Sequence, residues 1–318
     1  MAAIDLRVER IEEVAEAIRA VTLVPVGATS LPPFAPGAHV EVHLPDGATR
    51  SYSLIDWTGG AASPDAYRFG IRLEAQGRGG SRFMHGLSEG DTVRIDGPSN
   101  DFALDGGDGP AVLIAGGIGI TPIISMATAL KAAGRDYVLH YAARSAAAAA
   151  FADALAEAHG DALRMHLDDA AGGPLDVGAV LDDAPEGAHV YVCGPRAMIE
   201  AVKTRAEAAG YAADRIRFEL FDAPADQTGD TAFEVEIAST GKVYTIPPGK
   251  TIIEVLDEGG EDLVYDCQRG DCGICQTDVL EGEPDHRDVV LSADERASGK
   301  VMQICVSRSK SPRLVLDI

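Results

Sequence analysis

The chain of 318 residues has few aromatic and few basic side chains. Phe, Trp and Tyr make up 5% of it, with one Trp, so its cores must be mostly aliphatic. Lys and Arg number 27 against 50 Asp and Glu, which gives a net charge of −23. Nucleic acids and anionic membranes bind basic surfaces, so neither is expected as the main partner. No window reaches the ~18 uninterrupted apolar residues of a membrane span, and the N-terminus has acids where a signal peptide needs bases.

Cysteine is scarce as well, and its placement is uneven. Five cysteines occur, and four of them follow residue 266. An odd number gathered near one end is not typical of a secreted disulfide framework. We therefore expect a cytoplasmic chain in which the cysteines serve a metal or cluster site.

The pattern of the sequence changes twice, and the length fits two or three domains. Residues 1–103 show short strands between Gly and Pro turns, as in an antiparallel β-barrel. In residues 104–222 apolar strands alternate with helices, which predicts a parallel α/β sheet. Residues 223–230 are small and polar and are interpreted as a linker to a last domain, 231–318.

Individual elements of the α/β region and of the last domain can also be predicted. Alanine favours helix, so the run of alanines at 146–150 is interpreted as helical. A hairpin is expected around Thr240-Gly241, and a short helix near 252–258. The strands expected in the α/β region are 111–115, 137–141, 163–167, 189–193 and 216–220.

The cysteines Cys267, Cys272 and Cys275 stand in a C-x4-C-x2-C loop, and Cys305 follows later. This is the spacing of plant-type [2Fe–2S] ferredoxins. Two glycines in the loop allow the tight bends that point backbone N–H groups at sulfur. A zinc site is the alternative, but zinc sites usually pair two short C-x2-C units, and only one spacing here is short. The sequence therefore predicts a [2Fe–2S] cluster held by these four cysteines.

The segment GGIGITP, residues 116–122, lies between a predicted buried strand and a helix. At this place an α/β sheet presents backbone N–H groups to a pyrophosphate. The segment lacks the G-x-G-x-x-G fingerprint, and a glycine turn that merely lets strand and helix approach would look similar. Cys193-Gly194-Pro195 also follows an apolar strand, which places it at the same edge of the sheet. The second segment favours a dinucleotide site there, although a lone cysteine is often only a small buried residue.

The segment RSYS, residues 50–53, lies on a predicted strand, and GRGGS, residues 77–81, opens a short helix. An aromatic ring beside hydroxyl and guanidinium groups suits a flat heterocycle with a phosphate tail. Taken alone, these residues fit equally well a packed tyrosine and a plain flexible loop.

The order of these five motifs closely resembles the phthalate dioxygenase reductase family, which includes reductase subunits of vanillate demethylases. The resemblance covers nearly the whole chain. It implies a multidomain fold with a flavin-binding antiparallel β-barrel, a nicotinamide-binding α/β domain and a C-terminal β-grasp ferredoxin domain. Members of the family pass electrons from NADH through FMN and a [2Fe–2S] cluster to a separate Rieske-type oxygenase. The resemblance thus implies an NADH-dependent iron–sulfur flavoprotein, which we expect to be monomeric.

The resemblance also assigns the FMN site. It places Arg50 toward the phosphate and Tyr52 along the isoalloxazine ring. Thr121 matches a flavin contact from the neighbouring domain, and Phe221 matches an aromatic residue near the flavin. The other matched positions are Ser51, where the family more often has Thr, and Ser53, Ile71, Arg72, Leu73, Gly79, Gly80 and Ser81. FMN is expected rather than FAD because GRGGS runs directly into the next segment without an aromatic or loop for an adenine.

The nicotinamide site is assigned in the same way. Its matched positions are Gly116, Gly117, Gly119, Cys193, Gly194 and Pro195. Arg144 is the one cation found after the second predicted strand of the sheet, where a 2′-phosphate would bind, and Asp153 is nearby. One arginine can serve either cofactor, and the acids favour NADH. The electron transfer requires no general acid or base, so no catalytic residue is assigned.

Two other functions fit parts of the chain. A self-contained flavin or ferric reductase would need no ferredoxin domain, and a non-enzymatic ferredoxin or scaffold would leave both glycine loops unexplained. An electron donor to another acceptor is a further alternative. Residues 231–318 carry 17 acids and 9 bases, which fits either a basic patch on the acceptor or a solvated acidic face.

Overall fold

The computed structural model describes residues 3–27, 30–60, 64–75, 77, 79–104, 107–221 and 229–318. The chain forms two compact units, Met1–Glu219 and Leu220–Ile318. The predicted boundary between barrel and α/β region lies inside the first unit. None of the described helices combines the length and apolar character needed to cross a bilayer.

The first part of the first unit is a six-stranded sheet with the order β4-β3-β6-β1-β2-β5. Every strand pair whose register is known there is antiparallel, as predicted. The Ile55 N–H donates to the Arg68 carbonyl at 2.9 Å, which brings the chain beyond β4 to β5, at the other end of the order. The elements are β1 (Ile4–Ala15), β2 (Ile18–Pro25), β3 (His39–His43), β4 (Thr49–Ser53), β5 (Tyr67–Arg72), α1 (Gly80–Gly86) and β6 (Thr92–Ser99).

The second part is a five-stranded sheet with the order β11-β10-β7-β8-β9. The pairs β10 and β7, β7 and β8, and β8 and β9 are parallel. Every residue of β7 is buried, as expected for a strand with both faces covered. Cys193 pairs with Ala115, so both glycine loops begin at the same edge. The elements are β7 (Ala111–Gly116), α2 (Ile120–Ala132), β8 (Tyr137–Ala143), α3 (Ala152–His159), β9 (Leu163–Leu167), α4 (Asp168–Ala171), α5 (Val177–Asp182), β10 (His189–Gly194), α6 (Arg196–Ala208) and β11 (Ile216–Leu220).

The helix predicted over the alanines 146–150 is wrong. Only a 3₁₀ turn forms at Ala146–Ala148, and Phe151 takes a left-handed conformation with φ 60° before α3 begins. The Phe151 ring packs against Trp57 with their centroids 6.3 Å apart. Tertiary packing of this ring therefore overrides the helix propensity of alanine.

The second unit is built on a mixed sheet with the order β13-β12-β18-β14-β16. Its first strand, β12, forms the predicted hairpin with β13 and pairs in parallel with β18. The predicted helix is present as α7, whose Thr251 and Glu254 form a capping box. This is the expected β-grasp arrangement. The elements are β12 (Phe233–Ile237), β13 (Val243–Ile246), α7 (Ile252–Glu258), β14 (Gln276–Glu281), β15 (Pro284–Asp285), α8 (Ala293–Ser298), β16 (Val301–Gln303), β17 (Arg308–Ser309) and β18 (Arg313–Leu316).

Asp230, placed in the predicted linker, is anchored in the second unit. Its side chain is 3% exposed and accepts from Arg287 Nη2 at 2.7 Å, while Arg308 Nε lies 3.2 Å from it. A buried carboxylate needs such partners. Residue 230 therefore belongs to the folded unit rather than to the linker, whose residues 223–228 lie outside the described residues.

Candidate functional site

Two of the residues matched to FMN lie together at the start of α1. Arg50 and Tyr52 alternate along β4 and so share one face of the strand. A Cβ added to Gly80 would lie 2.6 Å from Arg50 Cγ and 2.9 Å from Tyr52 Oη. Burial raises the pKa of Tyr52 well above its ordinary value, against the opposing effect of Arg50, so the phenol is protonated at neutral pH. Arg50 and Tyr52 thus line a cradle in which only glycine fits at position 80.

The turn before α1 is braced from its other end. Gly79 has φ 94°, a left-handed conformation that favours glycine. Ser81 Oγ accepts the Glu74 N–H at 2.9 Å, and Glu74 also pairs with Arg72. These contacts hold the described residues of the 74–81 loop in place. Gln76 and Arg78 of this loop lie outside the described residues.

The other positions matched to FMN do not all join this group. The Ser51 hydroxyl donates to Glu41 on β3, on the strand face opposite to Arg50 and Tyr52. Ser53 and Ile71 are buried, and Leu73 is 40% exposed. Phe221 belongs to the second unit and is 36% exposed.

Thr121 lies where the α/β sheet meets the flavin-binding sheet. A Cβ on Gly70 would lie 2.8 Å from Thr121 Cγ2 and 3.0 Å from Phe151 Cε2. The Thr121 hydroxyl donates to the Ile118 carbonyl at 3.1 Å, and its methyl group faces β5 next to Ile71. Sequence reasoning missed Gly70 and Phe151. A single glycine inside a strand pattern is the signal that could have found Gly70, since it often marks a close backbone approach.

The two segments matched to the nicotinamide site touch through their backbones. A Cβ on Gly119 would lie 2.3 Å from the Cys193 carbonyl oxygen and 2.8 Å from Gly194 N. A Cβ on Gly194 would lie 3.1 Å from Gly116 N. The strand register that pairs Cys193 with Ala115 sets up this contact. Glycine is therefore required in both loops, whose buried backbones pack directly against each other.

Pro195 and Met198 pack against the first of these two loops at Gly116. Pro195 Cδ would lie 2.7 Å and Met198 Sδ 3.0 Å from a Cβ on Gly116. Met198 is in the first turn of α6, and no sequence signal singled it out. Gly117 has φ 55° and open space around it. Arg144 lies just beyond β8 with its side chain exposed.

The cysteine loop of the second unit bends at its two glycines. Gly270 and Gly273 both have φ 81°, and a Cβ on Gly270 would lie 2.6 Å from Val306 Cγ2. The Arg269 N–H donates to Cys267 Sγ at 3.3 Å. These bends turn backbone donors toward sulfur, as predicted from the glycines.

The four predicted ligands form a series in the order Cys272, Cys267, Cys305, Cys275, in which neighbouring thiols influence one another's pKa. Hydrogen bonds from Cys272 and Cys305 hold the pKa of Cys267 below its ordinary value, and Cys305 likewise lowers that of Cys275. The pKa of Cys272 and of Cys305 is raised by these hydrogen bonds and by burial. A [2Fe–2S] cluster takes two thiolates at each iron, so this donor set fits it.

Two further polar residues near the thiols were missed from the sequence. Asp271 is 4% exposed, accepts the Leu220 N–H at 2.9 Å and faces Arg269 Nε at 3.3 Å. Burial raises its pKa to about 6. Gln303 is fully buried, with Oε1 3.4 Å from Cys275 Sγ. Within the described residues, no three His, Cys, Asp or Glu side chains are placed to hold one metal ion.

Two family models match the chain. Residues 113–204 match the oxidoreductase NAD-binding domain, and residues 235–310 match the 2Fe-2S iron-sulfur cluster binding domain. The first range covers the glycine loops, and the second covers all four cysteines of the series.

Curated relatives match along the whole chain. The phenoxybenzoate dioxygenase subunit beta of Ectopseudomonas oleovorans is 43% identical over 319 residues, which are 100% of this chain and 98% of that protein. The vanillate O-demethylase oxidoreductase of Pseudomonas sp. (strain HR199 / DSM 7063) is 42% identical over 295 residues, 91% of each.

Solved structures agree with these matches. Phthalate dioxygenase reductase, described as a modular structure for electron transfer from pyridine nucleotides to [2Fe-2S], is 34% identical with a TM-score of 0.75, over 100% of this chain and 98% of that one. An intact type IV self-sufficient cytochrome P450 monooxygenase is 35% identical with a TM-score of 0.69, over 99% of this chain but 41% of that one. The family predicted from the motifs is thereby confirmed. The chain belongs to the phthalate dioxygenase reductase family of oxidoreductases, which carry electrons from a nicotinamide nucleotide through a flavin to a [2Fe–2S] cluster.

Proposed function

We propose that the chain is the NADH-dependent, FMN-containing reductase component of a Rieske-type oxygenase or demethylase. The observation that carries this proposal is the cysteine loop of the second unit, which bends at Gly270 and Gly273, donates the Arg269 N–H to Cys267 Sγ, and lies in one folded unit with the buried Cys275 and Cys305. A reductase that served free flavins or ferric iron would need only the first unit, whereas an oxygenase that takes single electrons requires a one-electron carrier. Two relatives, a dioxygenase subunit and a demethylase oxidoreductase, support this class of acceptor.

The cradle around Gly80 fits FMN. A bound flavin can accept two electrons from a nicotinamide and release them one at a time. Arg50 would hold the phosphate through its guanidinium, and the protonated Tyr52 would lie along the ring. The helix α1 begins at Gly80, directly after the turn, which leaves no inserted segment there to hold an adenine. Mass spectrometry of the released flavin tests this choice, and FAD would contradict it.

The paired glycine loops fit a nicotinamide nucleotide. Because Gly119 and Gly194 carry no side chains, the two loops pack together at one edge of the sheet, where backbone N–H groups would bind the pyrophosphate. Cys193, Pro195 and Met198 would form the floor near the nicotinamide ring. NADH is favoured over NADPH because Arg144 is the one cation that the sequence offers for a 2′-phosphate. Equal kcat/KM values for the two nucleotides would contradict this preference.

A cytochrome P450 is a second candidate acceptor. The chain matches almost entirely to part of a self-sufficient P450 monooxygenase, in which the remaining length is a different region. Reduction rates with a purified Rieske oxygenase and with a purified P450 would separate the two candidates.

The proposed cluster ligands are tested by replacing one of them. Cys272→Ala should lose iron and sulfide, about two of each per chain in the wild type. It should keep its flavin, because the flavin cradle lies wholly in the first unit. Cys193→Ala is the matched control for iron content, since Cys193 lies in the other unit and should leave iron and sulfide unchanged. Zinc in place of iron, or full iron content in Cys272→Ala, would contradict the proposed site.

A further inference from the structure

A buried charged group lies against the cysteine loop. It consists of Asp288, with a fully buried side chain, His286, which is 10% exposed, and Arg296 on α8, which is 32% exposed. A Cβ on Gly270 would lie 3.0 Å from Asp288 Cα, and the adjacent Val289 N–H donates to the Gly270 carbonyl at 2.9 Å. The segment that carries Asp288 is therefore in direct contact with the loop that carries the proposed ligands.

The carboxyl group of Asp288 has backbone and side-chain partners. Its Oδ2 accepts the N–H groups of Val290 at 3.1 Å and Leu291 at 2.8 Å. Arg296 Nη2 lies 3.6 Å from the same oxygen and donates to the Asp288 carbonyl at 2.6 Å. Two backbone donors and one guanidinium group therefore face this carboxyl group.

The hydrogen bonds alone do not require an aspartate. An asparagine carbonyl could accept the same two N–H groups, without the free-energy cost of burying a charge. On the described residues, Asp288 Oδ1 has no hydrogen-bond partner, and His286 Nδ1 is 4.0 Å from it. The negative charge is thus what distinguishes this residue from a neutral residue of the same shape.

The charge lies close to the proposed cluster. Gly270 is two residues from Cys272 and three from Cys267, and one residue spans at most about 3.6 Å. Asp288 is therefore on the order of 10 Å from the sulfurs. At this distance, with an effective dielectric constant of about 20, one unit charge changes an equilibrium constant for adding an electron by about tenfold.

We propose that Asp288 lowers the reduction potential of the cluster and that Arg296 partly offsets its charge. This inference rests on the proposed function, because it requires the cluster at the four cysteines. A buried negative charge disfavours the addition of an electron, and a buried positive charge favours it. Removing the Asp288 charge should therefore raise the potential, and removing the Arg296 charge should lower it.

The test compares three variants of the full chain in a redox titration followed by electron paramagnetic resonance. Asp288→Asn should raise the equilibrium constant for one-electron reduction about tenfold, equivalent to about 59 mV. Arg296→Gln should shift the midpoint in the opposite direction. Asp294→Asn makes the same charge change on the exposed face of α8 and should leave the midpoint unchanged.

Opposite shifts in Asp288→Asn and Arg296→Gln are expected of an electrostatic effect, whereas shifts of one sign indicate a structural one. Shifts of the same sign, or an unchanged midpoint in Asp288→Asn with intact iron and sulfide, would overturn the inference. If Asp288→Asn loses its cluster, the sign of the Arg296→Gln shift decides. A wild-type chain without iron and sulfide would instead contradict the cluster, and with it the proposed function.

Discussion

Individual glycines decide how closely the elements of the first unit approach one another. Gly80 brings α1 onto Arg50 and Tyr52, and Gly119 brings the loop before α2 onto Cys193. At both positions a Cβ would fall under 3.0 Å from a neighbouring atom, so even alanine forces a displacement. The backbone contacts at Gly119 are the more rigid of the two, because a carbonyl cannot rotate away as a side chain can.

Gly80→Ala should weaken flavin binding about ten- to a hundredfold. The added methyl group displaces Arg50 near Cγ, and a charge-assisted contact is worth about 1.5–3 kcal/mol. The dissociation constant can be measured by titrating flavin into the stripped protein. Gly86→Ala, in the same helix with open space around its Cβ, should bind as the wild type does. Wild-type affinity in Gly80→Ala would show that Arg50 does not hold the phosphate.

Sequence reasoning found the glycines and cysteines of the proposed sites but missed several partners. Gly80, Gly119 and the four cysteines stand in short motifs whose spacing carries the information. Asp288 and Gln303 contact the cysteine loop from outside the C-x4-C-x2-C motif, Asp288 from 13 residues beyond Cys275 and Gln303 from two residues before Cys305. Only the folded sheet brings them there, so no local pattern could identify them.

Among the elements, most strands and the helix α7 followed from the sequence. The strands β9 and β11 have the predicted bounds at both ends, because alternation and apolar runs are local. The helix predicted over the alanine run does not form, because the Phe151 ring packs against Trp57 and Gly70 instead. The short helix α8 was not predicted, although its Ser292 and Glu295 form a capping box that the sequence contains.

The helix α3 makes the first unit sensitive to acid. His159, its last residue, is buried, and its Nδ1 lies 2.7 Å from Tyr137 Oη. Burial and, to a lesser degree, Lys131 lower the pKa of His159. Burial likewise lowers the pKa of His140 on β8. Below about pH 6.5 the unfolded state then binds more protons than the folded state. The free energy of unfolding is therefore highest above that pH and decreases as the pH falls.

Unfolding in urea, followed by the fluorescence of the single tryptophan, Trp57, should show this loss between pH 7.5 and 5.5. Each histidine contributes at most about 1.4 kcal/mol per pH unit to the free energy of unfolding. His159→Gln cannot gain the proton and should show a shallower dependence on pH. An identical slope in this variant would mean that His159 binds protons equally in the folded and unfolded states over this range.

In the whole molecule, the division into two units predicts which activities can be separated. A chain that ends at Phe221 keeps β11 and all elements of the first unit. It should bind FMN and reduce ferricyanide with NADH, because the flavin cradle and the paired glycine loops lie in that unit and Phe221 is retained. It should fail to reduce cytochrome c or a Rieske oxygenase, since the proposed one-electron carrier is missing. Steady-state rates with each acceptor provide the measurement.

The full-length chain is the reference for every acceptor in this comparison. Oxygenase turnover by the shortened chain at the rate of the full chain would contradict the proposed route through the cluster. The second unit would then have to act in docking or regulation.

The position of β18 has a consequence for synthesis on the ribosome. This strand lies in the centre of the second sheet, between β12 and β14, although it is the last strand of the chain. Glu234 pairs with Arg313, so the strand that pairs with β12 is synthesised about 80 residues later. At 5–20 residues per second this delay is about 4–16 s. During that interval the edge of β12 is open to pairing with other nascent chains. Expression at a slower rate of elongation should therefore favour aggregation of the second unit, while the first unit, complete long before, is spared.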